Sequence, residues 1–117
     1  NSFDFDYSEF EGEMDLIFVD GDHTYEGVRN DTEKVFPLLK DENSVIVWHD
    51  YAHHPDTVRW EVFQGILDGL PKSEHKYLYT VSNTKCAIYS KKKWDTYIQE
   101  SPSTPSKKFE VSVKVTD

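Results

Sequence analysis

The sequence predicts an α/β fold built around parallel strands. Two apolar runs, Leu16–Val19 and Val45–Trp48, are uninterrupted, and the segment 20–44 between them has the apolar spacing of a helix. Apolar runs of four without alternation are typical of strands covered on both faces, as in parallel sheets. Residues 16–48 are therefore predicted to form a strand–helix–strand unit.

The first half of the chain divides into a lead-in, a strand and a helix. Residues 1–13 are acidic and aromatic, and we expect an extended lead-in with one turn near Gly12. A strand is predicted over 15–20. Thr24 can cap the following helix, whose apolar residues recur at spacings of three and four and form one buried stripe. Pro37 predicts that this helix ends or kinks nearby.

The second half is predicted to add a strand, a helix and a hairpin. The strand covers 44–48, and Pro55 or Asp56 is expected to begin a helix that Gly69 and Pro71 close. Segments 77–82 and 85–90 are rich in β-branched and aromatic residues and are joined tightly, which predicts an antiparallel hairpin. The sheet is therefore expected to be mixed.

The C-terminal part differs in composition from the rest. We interpret residues 1–91 as the α/β domain and residues 92–117 as a short helix over 94–99, a Ser/Pro/Lys linker and a C-terminal edge strand. The edge strand is predicted because Phe109, Val111, Val113 and Val115 alternate with polar residues. The chain opens at Asn1, close to a strand that is predicted to be central, so we expect a piece of a longer protein.

Charge and composition exclude several kinds of partner. The chain has 13 basic and 22 acidic residues and a net charge of −9, which argues against a nucleic acid or an anionic membrane surface as the main partner. Its apolar runs are too short to span a bilayer and no signal sequence opens it, so we expect a cytoplasmic protein. Cys86 is the only cysteine, which excludes an internal disulfide.

Polar clusters follow both apolar runs. The first cluster is Asp20-Gly21-Asp22-His23 and the second is His49-Asp50-Tyr51. In open α/β sheets, ligands bind outside the carboxyl ends of the parallel strands. If the two strands are neighbours they lie roughly 4.8 Å apart, and the polar side chains of both clusters line one crevice.

The residue types in these clusters suit metal binding or proton transfer. Asp20 and Asp22 offer oxygen ligands to a hard cation, or acceptors for an amine or hydroxyl of a ligand. His23 and His49 titrate near neutral pH and suit a general base or a nitrogen ligand. Each also has a structural interpretation, because Asp22 can cap the helix that begins near Thr24 and either histidine can be a buried hydrogen-bonded residue.

Other features are less specific. His53 and His54 can join His49 in a zinc-like group, although their spacing on a loop is unusual for zinc. Tyr51 can form the base of a ligand pocket or belong to the hydrophobic core. No Gly-x-Gly-x-x-Gly, Walker loop, His-Glu-x-x-His or Gly-x-Ser-x-Gly motif occurs, so serine hydrolases and nucleoside triphosphatases have no support.

Two motifs in order carry a resemblance to a known family. The stretch 15–28, which contains Asp20-Gly21-Asp22-His23-Thr24-Tyr25, and the later Trp48-His49-Asp50-Tyr51 resemble class I S-adenosylmethionine-dependent methyltransferases. Within them, the chain looks most like the branch with Asp-Gly-x-His after the fourth strand and His-Asp after the fifth. The resemblance covers about residues 1–91 and implies the C-terminal half of a Rossmann-like sheet, with strands in the order 4-5-7-6 and strand 7 antiparallel. The glycine-rich cofactor loop of the family's first half is absent from the sequence.

The resemblance also implies roles for individual residues. Ser2 would lie near the adenine of S-adenosylmethionine, and Asp20 and Gly21 near its methionine end. Related metal-dependent O-methyltransferases hold a divalent ion such as Mg²⁺, and the matching positions here are Asp20, His49 and Asp50. His23 falls where that group has its basic residue and would deprotonate the acceptor. The neighbouring residues expected to face the substrate are Asp22, Tyr51 and His53.

The leading interpretation is therefore a methyltransferase portion that acts on an oxygen or nitrogen of a small molecule and is inactive or nearly so as an isolated chain. One alternative is a metal-dependent hydrolase that uses the Asp/His cluster. Another is a non-catalytic interaction module, in which 109–115 adds to a partner's sheet. An open edge on the first strand also predicts a homo-oligomer.

Overall fold

A computed structural model describes residues 1–54, 57–82 and 84–96, and in this part of the chain a mixed sheet carries two helices. The principal elements in chain order are β1 (Leu16–Val19), α1 (Tyr25–Val35), β2 (Val45–Trp48), β3 (Ala52–His54), β4 (Thr57–Val58), α2 (Trp60–Gly69), β5 (Leu78–Thr80) and β6 (Ala87–Ser90). Short 3₁₀ turns cover Ser8–Phe10, Phe36–Leu38 and Lys72–Tyr77. The predicted α/β class is confirmed.

The main sheet has the order β1-β2-β6-β5. β1 and β2 are parallel, β6 is antiparallel to β2, and β5 is antiparallel to β6. This order and these directions agree with the 4-5-7-6 order that the resemblance implies, and the identity of each strand stays a prediction. Because β5 runs parallel to β2, the row Val19, Trp48, Ala87 and Thr80 crosses the sheet at its carboxyl edge.

The helices begin and end for local reasons. The Thr24 hydroxyl accepts a hydrogen bond from the Gly27 amide at 3.2 Å, as predicted for the first cap. α1 ends at Val35 and passes into the 3₁₀ turn Phe36–Leu38, which contains Pro37, so the expected end near Pro37 is confirmed. The predicted start of the second helix at Pro55 or Asp56 is wrong, because β3 and β4 pair as a short hairpin and α2 begins only at Trp60.

Two helices pack closely on each other through glycines. A Cβ at Gly65 would lie 2.9 Å from the Tyr25 carbonyl oxygen and from Val28 Cβ, and one at Gly69 would lie 2.6 Å from Thr32 Cβ. The indole nitrogen of Trp48 donates to the Thr32 hydroxyl at 3.0 Å, which fixes α1 on the sheet. The core is formed by buried residues of both helices and the central strands, among them Val28, Val35, Ile46, Trp48, Val62, Ile66, Ala87 and Tyr89.

Within the described residues, one face of β1 is open. Ile46 and Trp48 are fully buried under the helices, whereas Leu16 and Phe18 on the opposite face are 64% and 58% exposed. The expectation that both faces are covered is therefore wrong for β1 in the part of the chain described, whereas Val45 and Val47 on the same face of β2 are half-buried. Because both helices pack on the same face, alternate side chains of the apolar strand β1 are exposed on the other face.

The ends of the chain differ from the sequence expectations. The lead-in is not extended throughout, because Ser8–Phe10 form a 3₁₀ turn, while Gly12 adopts a positive φ of 72° as its predicted turn requires. Residues 94–96 are not helical. The rest of the predicted helix, the linker and the strand over 109–115 lie outside the described residues, and the division at residue 91 stays a prediction.

Candidate functional site

The carboxyl ends of β1 and β2 bring both polar clusters together, as their parallel pairing requires. Val19 and Trp48 are register partners, so Asp20 and His49 directly follow on neighbouring strands. His49 Nδ1 lies 3.2 Å from Asp20 Oδ1 and 3.1 Å from Asp50 Oδ2. Side chains of the two clusters therefore lie in contact at these strand ends.

Asp50 is the centre of the cluster. Its Oδ2 also lies 3.0 Å from His23 Nε2, and its side chain is only 14% exposed. Burial opposes ionisation of the carboxyl, but the charges of His49, His23 and Arg59 outweigh it, so the pKa of Asp50 lies below its usual value. Within the described residues, Asp50 alone among non-glycine residues has a positive φ, 56°. Asp tolerates this conformation better than most residues, and such strained positions concentrate at functional sites.

The geometry of the cluster suits a shared cation. His23 Nε2 and His49 Nδ1 are buried and have no well-aligned hydrogen-bond partner in the described part of the chain, although carboxylate oxygens lie 3.0–3.2 Å away. One ligand atom each from Asp20, His49 and Asp50 can lie within 4.8 Å of the others. Around an octahedral ion with bonds of about 2.1 Å, adjacent ligands are about 3.0 Å apart. Asp20, His49 and Asp50 therefore fit a divalent ion.

Two further basic residues stand near the cluster, and the sequence did not indicate them. Lys85 Nζ lies 3.9 Å from Asp50 Oδ1. Lys85 precedes β6, which starts at the same edge of the sheet, so only the strand order reveals its proximity. Arg59 adds positive potential at Asp50 from the residue before α2.

Asp22 points to the start of α1. Its carboxylate accepts hydrogen bonds from the Thr24 hydroxyl at 2.6 Å and from the His23 amide at 2.7 Å. The hydrogen bond from Thr24 and those from the backbone amides lower the pKa of Asp22. The cap of α1 is therefore Thr24 and not Asp22, which instead hydrogen-bonds to the capping residue. The contact of Asp22 with a substrate stays a prediction.

A second feature lies on the outer side of β1. A half-open cavity of about 470 Å³ brings together Ser2, Asp20 and Gly21, the three residues assigned to the cofactor. Gly21 permits a close approach there, because a Cβ would lie 2.8 Å from Asp31 Oδ2. Carboxylates of Asp20 and Asp31 at this cavity suit a ligand that carries positive charge, as S-adenosylmethionine does at sulfur and nitrogen.

Lys34 holds the lead-in at this cavity. Its ammonium group donates to the carbonyl oxygens of Ser2 and Phe3, each at 2.6 Å. Asp31 and Lys34 both come from α1 and line the cavity with Ser2. No sequence pattern indicated a role for Asp31 or Lys34, since a contact between α1 and the lead-in depends on the tertiary fold.

The remaining predicted site residues do not join the cluster. Tyr51 is 6% exposed and packs edge to face on Phe63, with ring centroids 5.7 Å apart. Burial raises the pKa of the Tyr51 hydroxyl, so it is protonated at neutral pH. His53 is exposed on β3, and no metal group in the described ranges includes it or His54.

The comparisons with known proteins bear on the same segment. A family model described as a methyltransferase domain matches residues 1–51. The match supports a methyltransferase domain. It covers less than half of the chain but includes both polar clusters, from Asp20 to His23 and from His49 to Tyr51. No curated protein and no solved structure matches the chain. The specific branch and the half-domain interpretation stay predictions.

No helix in the described part of the chain is both long and apolar enough to cross a membrane.

Proposed function

We propose that this chain is part of an S-adenosylmethionine-dependent methyltransferase that acts on an oxygen or nitrogen of a small molecule. One observation carries the proposal. The methyltransferase match over 1–51 ends directly after the second polar cluster, and the fold joins that cluster to the first at contacts of 3.0–3.2 Å. Family match and spatial cluster therefore involve the same residues.

The cofactor would lie in the cavity beside β1. Ser2 would contact the adenine end, and Asp20 and Gly21 the methionine end, with Asp31 and Lys34 completing the wall. When bound, S-adenosylmethionine supplies an activated methyl group on a positively charged sulfur. The cavity of about 470 Å³ is within the range of small-molecule sites.

His23 would act as the base. Asp50 lies on the Nε2 side of the His23 ring, which favours the ring proton there and leaves Nδ1 as the basic nitrogen. The acceptor oxygen or nitrogen would attack the methyl carbon in line with its bond to sulfur, so that this bond breaks and S-adenosylhomocysteine leaves. The proton of the acceptor would pass to His23. Asp22 and Tyr51 are proposed to flank the acceptor, and His53 the outer rim.

A divalent ion would orient the acceptor. Asp20, His49 and Asp50 would hold it, and a mixed nitrogen and oxygen donor set suits Mn²⁺ or Zn²⁺ better than Mg²⁺. Positioning is the main contribution that such a site makes to methyl transfer.

Binding is the sharpest test, since the isolated chain is expected to have little or no turnover. S-adenosylhomocysteine would be titrated calorimetrically into the chain and into two charge-matched variants, Asp20→Asn and Asp15→Asn. The two aspartates flank β1 at opposite ends. We expect Asp20→Asn to lose at least about tenfold in affinity and Asp15→Asn to bind like the original chain. Absence of any binding by the folded chain would contradict the cofactor proposal.

A metal-dependent hydrolase is the second candidate, favoured by the Asp/His cluster alone. Such an enzyme would retain stoichiometric metal after purification without any affinity for S-adenosylhomocysteine. Elemental analysis beside the calorimetric titration therefore separates the two functions. The interaction-module alternative depends on residues 109–115, which lie outside the described part of the chain.

We also propose that the chain self-associates through β1. Within the described residues β1 is at the edge of the sheet, and no proline, lysine or bulge protects its apolar run.

A further inference from the structure

A second cavity lies at the β5–β6 end of the sheet, away from the β1 edge. It measures about 700 Å³, is half open, and lies between α2 and the β5–β6 hairpin. Its walls include four aromatic rings, those of Tyr51, Phe63, Tyr79 and Trp94. Small-molecule sites are typically cavities of about 300–1,000 Å³ with apolar and aromatic walls. In size and lining this cavity fits a small ligand.

The cavity adjoins the Asp/His cluster. Tyr51 lines it and directly follows Asp50 in the chain. Thr80 and Ala87, which also line it, belong to the row of residues at the carboxyl edge of the sheet together with Val19 and Trp48. A ligand in the cavity can therefore extend along the same edge toward Asp50.

The charges at the cavity restrict what it can bind. No lysine or arginine is among the described residues that line it, and Asp95 is its one carboxylate in that set. His75 is engaged elsewhere, because its Nε2 lies 2.8 Å from the Leu67 carbonyl oxygen and 3.3 Å from that of Leu70. The described lining residues therefore offer no positive charge to compensate an anionic ligand.

The mouth of the cavity exposes apolar surface. Trp94 is 46% exposed and Val81 is 36% exposed, and both line the opening. The Tyr51 and Phe63 rings are fixed at the inner wall by their edge-to-face contact. A flat ring would bury the open Trp94 face against this fixed pair, which is the arrangement that aromatic side chains favour.

We propose that this cavity binds a flat, aromatic, uncharged small molecule. The further proposal that this molecule is the methyl acceptor rests on the proposed function. The proposal that the cavity binds an aromatic ring does not. The molecule would lie between Trp94 and the Tyr51–Phe63 pair, with its hydroxyl or amine directed toward the strand ends.

The test is a calorimetric titration of the full 117-residue chain with 1-naphthol, with 1-naphthalenesulfonate as the anionic probe of the same ring. We expect 1-naphthol to bind and the sulfonate to bind at least about tenfold more weakly, because no lysine or arginine among the described lining residues compensates its charge. Trp94→Ala should weaken 1-naphthol binding about tenfold, since it removes one aromatic wall.

Two further variants test whether 1-naphthol binds in this cavity. Val81→Asp should weaken binding by placing a charge at the mouth, and the side chain that it changes is 36% exposed. Phe3→Ala is the control, because Phe3 is 52% exposed and is not among the residues lining the cavity. The affinity of Phe3→Ala for 1-naphthol should equal that of the original chain.

Each contrary result overturns the inference. Absence of 1-naphthol binding, equal affinity for both probes, or unchanged affinity in both Trp94→Ala and Val81→Asp would do so. Titration with S-adenosylhomocysteine on the same samples separates the two proposals. If the chain binds 1-naphthol but not S-adenosylhomocysteine, the cavity binds an aromatic ring but the acceptor role is contradicted. If it binds S-adenosylhomocysteine but not 1-naphthol, only the proposal for the cavity is contradicted.

Discussion

His23 Nε2 and His49 Nδ1 lie 3.0 and 3.1 Å from the same oxygen, Oδ2 of Asp50. The two histidines follow different strands, so this carboxylate joins the two polar clusters. The side chain of Asp50 is 14% exposed, less than those of His23, His49 and Asp20. The site therefore depends on Asp50 more than on either histidine.

Asp50→Asn is expected to weaken metal binding without unfolding the protein. Asn keeps the shape of the side chain and tolerates the φ of 56° as well as Asp does, but it supplies no charge. The affinity for Mn²⁺, followed by electron paramagnetic resonance, should fall more than about tenfold. Asp41→Asn, on the turn before β2, is the control. Equal Mn²⁺ affinity in the original chain and Asp50→Asn would contradict the metal site.

The contacts of Asp22 predict a coupled effect on folding. Thr24→Ala should lower the free energy of unfolding by about 1 kcal/mol, because it removes the helix cap. Asp22→Ala should also destabilise the chain, and the double variant should lose less than the sum, since the two side chains share a hydrogen bond of 2.6 Å. Urea denaturation measures all three. Strict additivity would mean that this hydrogen bond contributes nothing to stability.

Glu74 predicts a dependence of stability on pH. It accepts a hydrogen bond from the Tyr89 hydroxyl at 2.6 Å and pairs with Lys91 at 3.3 Å, and these contacts hold its pKa below the usual 4.5. A carboxyl with a lower pKa in the folded state contributes stability above its unfolded pKa, and this contribution is lost as the pH falls through the folded value.

Glu74→Gln should therefore destabilise the protein by about 1–3 kcal/mol at pH 7. The difference from the original chain should shrink progressively below pH 4.5, the ordinary value for a glutamate. Denaturation series at several pH values measure this. Glu61→Gln, exposed on α2, is the control and should show no such convergence. A difference that is independent of pH would contradict the role of ionised Glu74.

The glycines of α2 predict a packing defect. Gly69→Ala places a methyl group 2.6 Å from Thr32 Cβ, so the two helices must separate. We expect a loss of about 1–3 kcal/mol, in spite of the better helix propensity of alanine. Gln64→Ala, exposed on the same helix, is the comparison. Thermal and urea denaturation would show a gain in stability instead if the helices can adjust without cost.

The edge of β1 predicts self-association. Leu16→Lys places a charge on an unpaired edge and should lower the tendency of the chain to dimerise. Sedimentation velocity over a wide concentration range is the measurement. Trp60→Lys is the matched control, because Trp60 on α2 is 63% exposed and Leu16 is 64% exposed. A chain that stays monomeric at every concentration would remove this proposal.

Local sequence patterns sufficed for several elements. The spacing of Val28, Thr32 and Val35 predicted α1, and Thr24 predicted its start, because a cap and one apolar stripe are properties of the segment itself. The β5–β6 hairpin followed from two short β-rich runs joined tightly. The meeting of Asp20 with His49 and Asp50 was also predictable, since parallel neighbours share one carboxyl edge.

Other features depended on contacts between distant segments. The start of α2 at Trp60 depends on the pairing of β3 with β4, which no local signal at Pro55 or Asp56 revealed. The apolar run Leu16–Val19 could not show which of its faces the helices leave open. Likewise, the aromatic cavity is lined by residues from α2, β5 and β6, so it forms only when these elements pack together.

The sequence alone thus determined the strand–helix–strand unit, the hairpin and the types of residue at the strand ends. These follow from periodicity, caps and turns, which act over a few neighbouring residues. Tertiary structure decided that both histidines contact Asp50, that Asp22 hydrogen-bonds to Thr24 at the start of α1, and that Lys85 lies near the cluster. The reason is that each of these depends on distances between side chains, and strand order and helix packing fix those distances.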